Sequence, residues 1–315
     1  SMLSDWIGQR YSEAIKIESA CSSGGAAFRA GYLSVASGEA DVSLVVGVEK
    51  MTDSPSSEIT AGLATAADAD WEVDQGVSFV ALNALIMKRY MHEYHWRDID
   101  FAEFSINAHA NAVHNPYARF QQPLTESQFI NSPMICDPIN LMDASPIGDG
   151  AAAALLVRAD WVTSDVSKII VAGSAAATDT IAIHNRKEPL WLAAGEKSTR
   201  DVYEQAGISP AEIGVFEYHD AFTIMAALSL EAAGFAERGK GPALAKEGMI
   251  KINGRIPVAT RGGLKARGHP VGATGMYQIV EVVQQLRGQA GETQVPRQDF
   301  GMALNIGGSG SNITS

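Results

Sequence analysis

Apolar positions recur along this chain with two different spacings, and the switches between them divide it into strands and helices. Short apolar runs closed by Gly, Asp or Ser predict strands over residues 42–48, 151–157, 168–173, 215–218 and 301–306. Residues 14–17 form a further strand-like run just before a stretch of small residues. Helical spacing predicts helices over 26–37, 77–94, 198–206, 223–233 and 276–286. The first carries Ala26, Ala27, Ala30, Gly31 and Ser34 at positions that permit close packing. Strands alternating with helices indicate layered α/β folding with right-handed crossovers.

The order of elements reads as a broken internal duplication. A loop around Cys21 in the first half stands where a loop around His269 stands in the second, and a helix follows each. Between the halves lies an insertion, residues 51–140, rich in alanine and aromatics. The expected division is 1–50 with 141–160, then 51–140, then 161–315. The second half has two strand–helix units before its loop, whereas only 20 residues precede Cys21. The chain ends at Asn312-Ile313-Thr314-Ser315, where a strand matching 151–157 is due, so it reads as clipped at both ends.

Composition narrows the class. The 315 residues exceed one ordinary domain, and 46% hydrophobic with 19% charged residues is globular. A net charge of −12 argues against nucleic acid or an anionic membrane as partner. No apolar run is long enough for a membrane span, and no leader pattern opens the sequence. Two cysteines suit a reducing, cytoplasmic setting and exclude a disulfide scaffold. An acidic ligand would need local basic groups, and Arg261, Lys265 and Arg267 flank the His269 loop.

The chemistry begins at Cys21. It sits at a helix start, where unpaired N–H groups and the helix dipole favour a thiolate. His269 lies between Gly268 and Pro270 ahead of Val271-Gly272-Ala273-Thr274-Gly275, whose glycines allow tight backbone approach. His219 and Asp220 close the strand at Tyr218, and strand ends are where ligands bind in open α/β sheets. Asp220 also reads as an N-cap for the helix after Phe222. His92, His95, His109 and His114 in the insertion lack metal-ligand spacing, and no metal site is expected.

These segments resemble the thiolase superfamily. Glu18-Ser19-Ala20-Cys21-Ser22-Ser23-Gly24-Gly25 is similar to its nucleophile loop, and Gly268-His269-Pro270-Val271-Gly272-Ala273-Thr274-Gly275 to its catalytic histidine loop. His219-Asp220-Ala221-Phe222 resembles the histidine form of its third motif, found in the archaeal and sterol-carrier-protein-like branches. Ser145-Pro146-Ile147-Gly148-Asp149-Gly150 resembles the entry to the strand after its loop domain. The resemblance implies a duplicated αβαβα five-layer fold with residues 51–140 as an inserted loop domain.

It also implies roles. Cys21 would be the nucleophile of an acyl-enzyme, activated by His269, which would also serve an oxyanion hole. His219 would be an oxyanion donor or acid/base, Asp220 would orient its neighbours, and the backbone N–H of Gly307 would join that of Cys21 in a second oxyanion hole. Ser145 would contact the pantetheine of coenzyme A. Acyl-CoA and CoA are then substrates, with no permanently bound cofactor. A homodimer or tetramer is expected, with a small zinc-ribbon/OB-fold accessory protein as a further partner.

One departure bears on the reaction. Most thiolases place an acid/base cysteine in a Cys-X-Gly motif, and here Asn305-Ile306-Gly307 stands there. Ala221 occupies the alternative location of that cysteine, and Cys136 matches neither. Three readings follow: a thiolase using Cys21, His219 and His269; an acyltransferase to a non-CoA acceptor; or a non-catalytic acyl-CoA-binding subunit.

Overall fold

The two helices that follow the Cys21 and His269 loops meet, and close approach of glycine backbones makes that possible. The structure is a computed structural model that describes residues 2–162 and 168–315. Helix Ser23–Ala36 packs against helix Thr274–Leu286. A side chain at Gly24 would lie 2.8 Å from the backbone nitrogen of Met276, and one at Gly275 would strike the backbone of Gly25. Real Cβ atoms do not come so near, so only glycine lets the two helix N-termini touch. Gly275→Ala is expected to separate these N-termini and lower the melting temperature by several degrees, which thermal denaturation would show.

Sheets lie on both sides of this helix pair. Strand Val42–Glu49 pairs antiparallel with Gly150–Val157, in register from Val42 opposite Val157 to Glu49 opposite Gly150. Its Val45 and Gly47 face inward, and Gly47 lies against the backbone of Gly272 and Ala273. Strand Val215–Glu217 pairs parallel with Gly301–Ala303, buried beside helix Thr274–Leu286. A third sheet joins Ala176–Thr178, Asn312–Thr314 and Asn305–Gly307, all antiparallel. Helix Ala193–Ala206 covers it, and helix Thr223–Ala232, buried throughout, forms the heart of the second half. The insertion packs its helices Phe79–Tyr94 and Ala102–Ala112 over that buried helix.

Several strand expectations need correction. Residues 14–17 and 168–173 form no ladder, and Ile15 and Ile170 are 69% and 64% exposed. Instead of closing on the neighbouring strand, 168–173 lines a cavity of about 410 Å³ together with Phe300, Gly301 and Met302. An apolar run becomes a strand only where a neighbour completes its hydrogen bonds. Asn312–Thr314 is a three-residue strand paired on both edges, at the place where a strand matching 151–157 is due. Helix Ala193–Ala206 starts five residues earlier than its apolar spacing suggested.

Candidate active site

The nucleophile loop is stitched by its own serines. Ser22 Oγ donates to the carbonyl of Ser19 at 2.7 Å, and Ser23 Oγ to that of Ala20 at 2.6 Å. The Glu18 carboxylate accepts from the Ala20 N–H at 2.7 Å. This holds Ala20 at φ 50°, a left-handed conformation that costs a non-glycine residue about 1 kcal/mol and presents Cys21 at the helix start.

The fold brings Cys21, His219 and His269 together. Sγ of Cys21 and one ring nitrogen of each histidine lie within 4.8 Å of one another, all three residues buried. The imidazoles meet edge to face, 5.1 Å between centroids at 88°. A thiol with two imidazoles is also a zinc-type donor set, and among the described residues these three would be the ones to hold such an ion. The cluster closes one side of a cavity of about 430 Å³, whose walls include Leu63, Phe79, Met142, Phe222, Met225 and Ile306. Ser145 lines the same cavity, and its N–H donates to the carbonyl of Ala221 at 2.8 Å.

Burial dominates the electrostatics. It pushes the Cys21 thiol up to about 12, although the N–H groups of Cys21 and Gly308 point at the sulfur and pull the other way. Helix-start position therefore does not yield a resting thiolate. Burial likewise drives His269 down to about 3 and His219 well below its ordinary value, with Arg267 adding to both shifts. The resting site is a neutral thiol beside two neutral imidazoles. In a Cys136→Ser background, iodoacetamide alkylation of Cys21 followed by intact mass should accelerate about tenfold per pH unit from 7 to 9, following the thiolate fraction. A plateau below pH 8 would contradict this.

The neighbours refine the sequence reading. The amide facing Cys21 belongs to Gly308, one residue beyond Gly307, whose carbonyl instead accepts from Gly310 and Ser311 in the following turn. Asp220 is fully buried, and its Oδ1 accepts from the Leu264 N–H at 2.7 Å. It anchors the turn leading to His269, while Phe222 takes the N-cap position of the next helix. Lys265 and Arg267 do not form a basic surface patch, being 2% and 6% exposed. Lys265 donates to the Asp143 carbonyl, and Arg267 pairs with Glu281 at 2.5 Å. His109 stacks on Phe120 at the cavity wall.

Two partners were invisible as such in the sequence. Thr274 Oγ1 donates to the Pro270 carbonyl at 3.0 Å and lies 2.6 Å from Nδ1 of His269. With its own proton spent, the hydroxyl accepts from Nδ1–H, which leaves Nε2 of His269 as a lone pair. Asn305 reaches both Cys21 and His219.

Comparison with known proteins places this site in a family. Residues 8–160 match the description Thiolase, N-terminal domain, and residues 175–315 match Thiolase C-terminal domain-like. An acetyl-CoA acetyltransferase of Methanothermobacter thermautotrophicus is 43% identical over 311 residues, covering 98% of this chain and 81% of that protein. Two solved structures share the fold. The Ltp2-ChsH2(DUF35) aldolase has a TM-score of 0.82 at 24% identity, covering 94% of this chain and 77% of that one. The dimeric peroxisomal thiolase of Saccharomyces cerevisiae has 0.62 at 18%, covering 94% and 73%. With both halves matched and a 43%-identical relative aligned over 98% of this chain, the chain belongs to the thiolase family and is a thiolase-type acyltransferase.

Proposed function

We propose that Cys21 accepts an acyl group from an acyl-CoA thioester and passes it to CoA or to acetyl-CoA, by thiolysis or Claisen condensation. The observation that carries this is the meeting of one thiol and two imidazoles at a largely apolar cavity. His269 Nε2 takes the thiol proton as the sulfur attacks the thioester carbonyl. The oxyanion is met by the N–H groups of Cys21 and Gly308, each such donor contributing about 3–4 kcal/mol to the transition state. Departing CoA takes the proton back from His269, leaving a neutral imidazole and an acyl-Cys21. Ser145, which lines the same cavity, is the residue we assign to the pantetheine arm. The name of the 43%-identical relative supports acetyl-CoA as a substrate.

A homodimer is the assembly we favour, supported by the dimeric yeast relative. A small accessory protein that presents CoA is supported by the DUF35 component named with the aldolase of the same fold.

The test is intact-protein mass spectrometry after mixing with acetyl-CoA and longer acyl-CoAs. A gain of one acyl group that is absent in Cys21→Ala is expected. Its discharge by CoA or acetyl-CoA identifies the acceptor, whereas a stable adduct would point to a non-CoA acceptor. No adduct on the folded chain would overturn the reading.

A further inference from the structure

The cysteine that abstracts the α-proton in most thiolases is replaced here by Asn305, and the hydrogen bonds around that amide show how the two histidines divide the work. Asn305 is 2% exposed. Its Oδ1 accepts from the Gly25 N–H at 3.1 Å, and its Nδ2 donates to the Cys21 carbonyl at 3.1 Å. Both partners fix which end of the amide is which, because an N–H can only donate and a carbonyl only accept. The same Nδ2 lies 3.2 Å from Nδ1 of His219. That nitrogen must therefore be the acceptor, and the His219 proton sits on Nε2. Thr274 imposes the opposite tautomer on His269, with its proton on Nδ1 and a lone pair on Nε2.

We infer that Asn305 is a positioning residue that fixes His219 as a hydrogen-bond donor and thereby leaves His269 as the single base for both half-reactions. This rests on the acyl-transfer reading above. Once CoA has left, His269 Nε2 is unprotonated again. It takes an α-proton from acetyl-CoA, and the C–H electron pair forms an enolate whose oxygen accepts from His219 Nε2–H. The α-carbon attacks the acyl-Cys21 carbonyl and forms the new C–C bond. The Cys21 sulfur leaves with the electron pair of the broken C–S bond and recovers the proton from His269. No second thiol is needed.

Two measurements test this. In protein carrying [¹⁵N]histidine, NMR reads which nitrogen of each neutral ring is protonated. The expected result is Nε2 for His219 and Nδ1 for His269, with His219 switching to Nδ1–H in Asn305→Asp, whose carboxylate accepts instead of donating. His219 protonated at Nδ1 in the unaltered protein would overturn the assignment. The second is deuterium uptake into the acetyl-CoA methyl group in D₂O, which isolates proton abstraction. His269→Asn should lower it by about 10³-fold or more as a lost base, and His219→Asn, whose amide still donates, by about tenfold. The reverse order would make His219 the base. Absence of both exchange and a Cys21 adduct in the unaltered protein would instead sink the acyl-transfer reading, and the NMR result would still decide the tautomers.

Discussion

Replacing Arg267 with Met should destabilise the protein by about 3–5 kcal/mol, the cost typical of removing one partner of a buried ion pair. Arg267 and Glu281 pair at 2.5 Å with side chains only 4% and 7% exposed. The Arg267 guanidinium lies 4.7 Å over the Tyr277 ring, and its charge also acts on buried Glu217. Without it, Glu281 loses its hydrogen-bonded counter-charge and Glu217 a further stabilising charge, which favours the protonated form of both. The double variant Arg267→Met with Glu281→Leu should recover much of the loss, because the unpaired charge is then gone. Thermal and urea denaturation of the two variants check this. A single variant as stable as the unaltered protein would show the pair to be dispensable. Arg267 also helps to hold both active-site imidazoles neutral, so its removal should move any acid limb of the pH–activity profile to higher pH.

This ion pair marks where the sequence stops being readable. The nucleophile and histidine loops are visible in one dimension because glycine, proline and serine punctuate them, and each needs only its own neighbours to form. Glu18 and the serines that shape the Cys21 turn all lie within five residues of one another. Arg267 looked like surface charge because its partner is 14 residues away on a helix whose buried face is set by packing. Gly308 and Gly307 are indistinguishable as letters, and only the tight turn after Asn305–Gly307 decides which amide meets the thiol. The tautomer of His219 depends on Asn305, 86 residues away, and on Gly25 and Cys21 at the other end of the chain. The strand readings failed for the same reason. The apolar runs at 14–17 and 168–173 carry the right residues, but pairing needs a second chain segment that their own spacing cannot supply.

Acid should destabilise the fold through the same two imidazoles that serve the site. Each is held neutral when folded and is free to protonate near its ordinary value of 6.5 when unfolded. Below that value the unfolded chain binds more protons, so stability falls as pH drops from about 6.5 toward the His269 value of about 3. Each such group contributes a slope of about 1.4 kcal/mol per pH unit within its window. Glu217 acts in the opposite sense. Burial, reinforced by Glu281, pushes it up to about 8 from an ordinary 4.5, so its contribution is complete below 4.5 and is lost as pH rises to 8. Between 4.5 and 6.5 it offsets one histidine. Asp143, Asp220, Glu231 and Glu281, whose carboxyls burial also pushes up, oppose the histidines in the same sense. Below the ordinary carboxylate values of 3.8 to 4.5 that opposition ends. The melting temperature should therefore peak on the mildly acidic side of neutral and drop steeply below pH 4.5. His269→Asn should flatten the acid limb, and Glu217→Gln, which keeps an acceptor for Thr260 without a charge, should flatten the alkaline one. An acid limb unchanged in the His269 variant would mean that its imidazole is not held neutral, and would remove the basis for treating it as the base of the reaction.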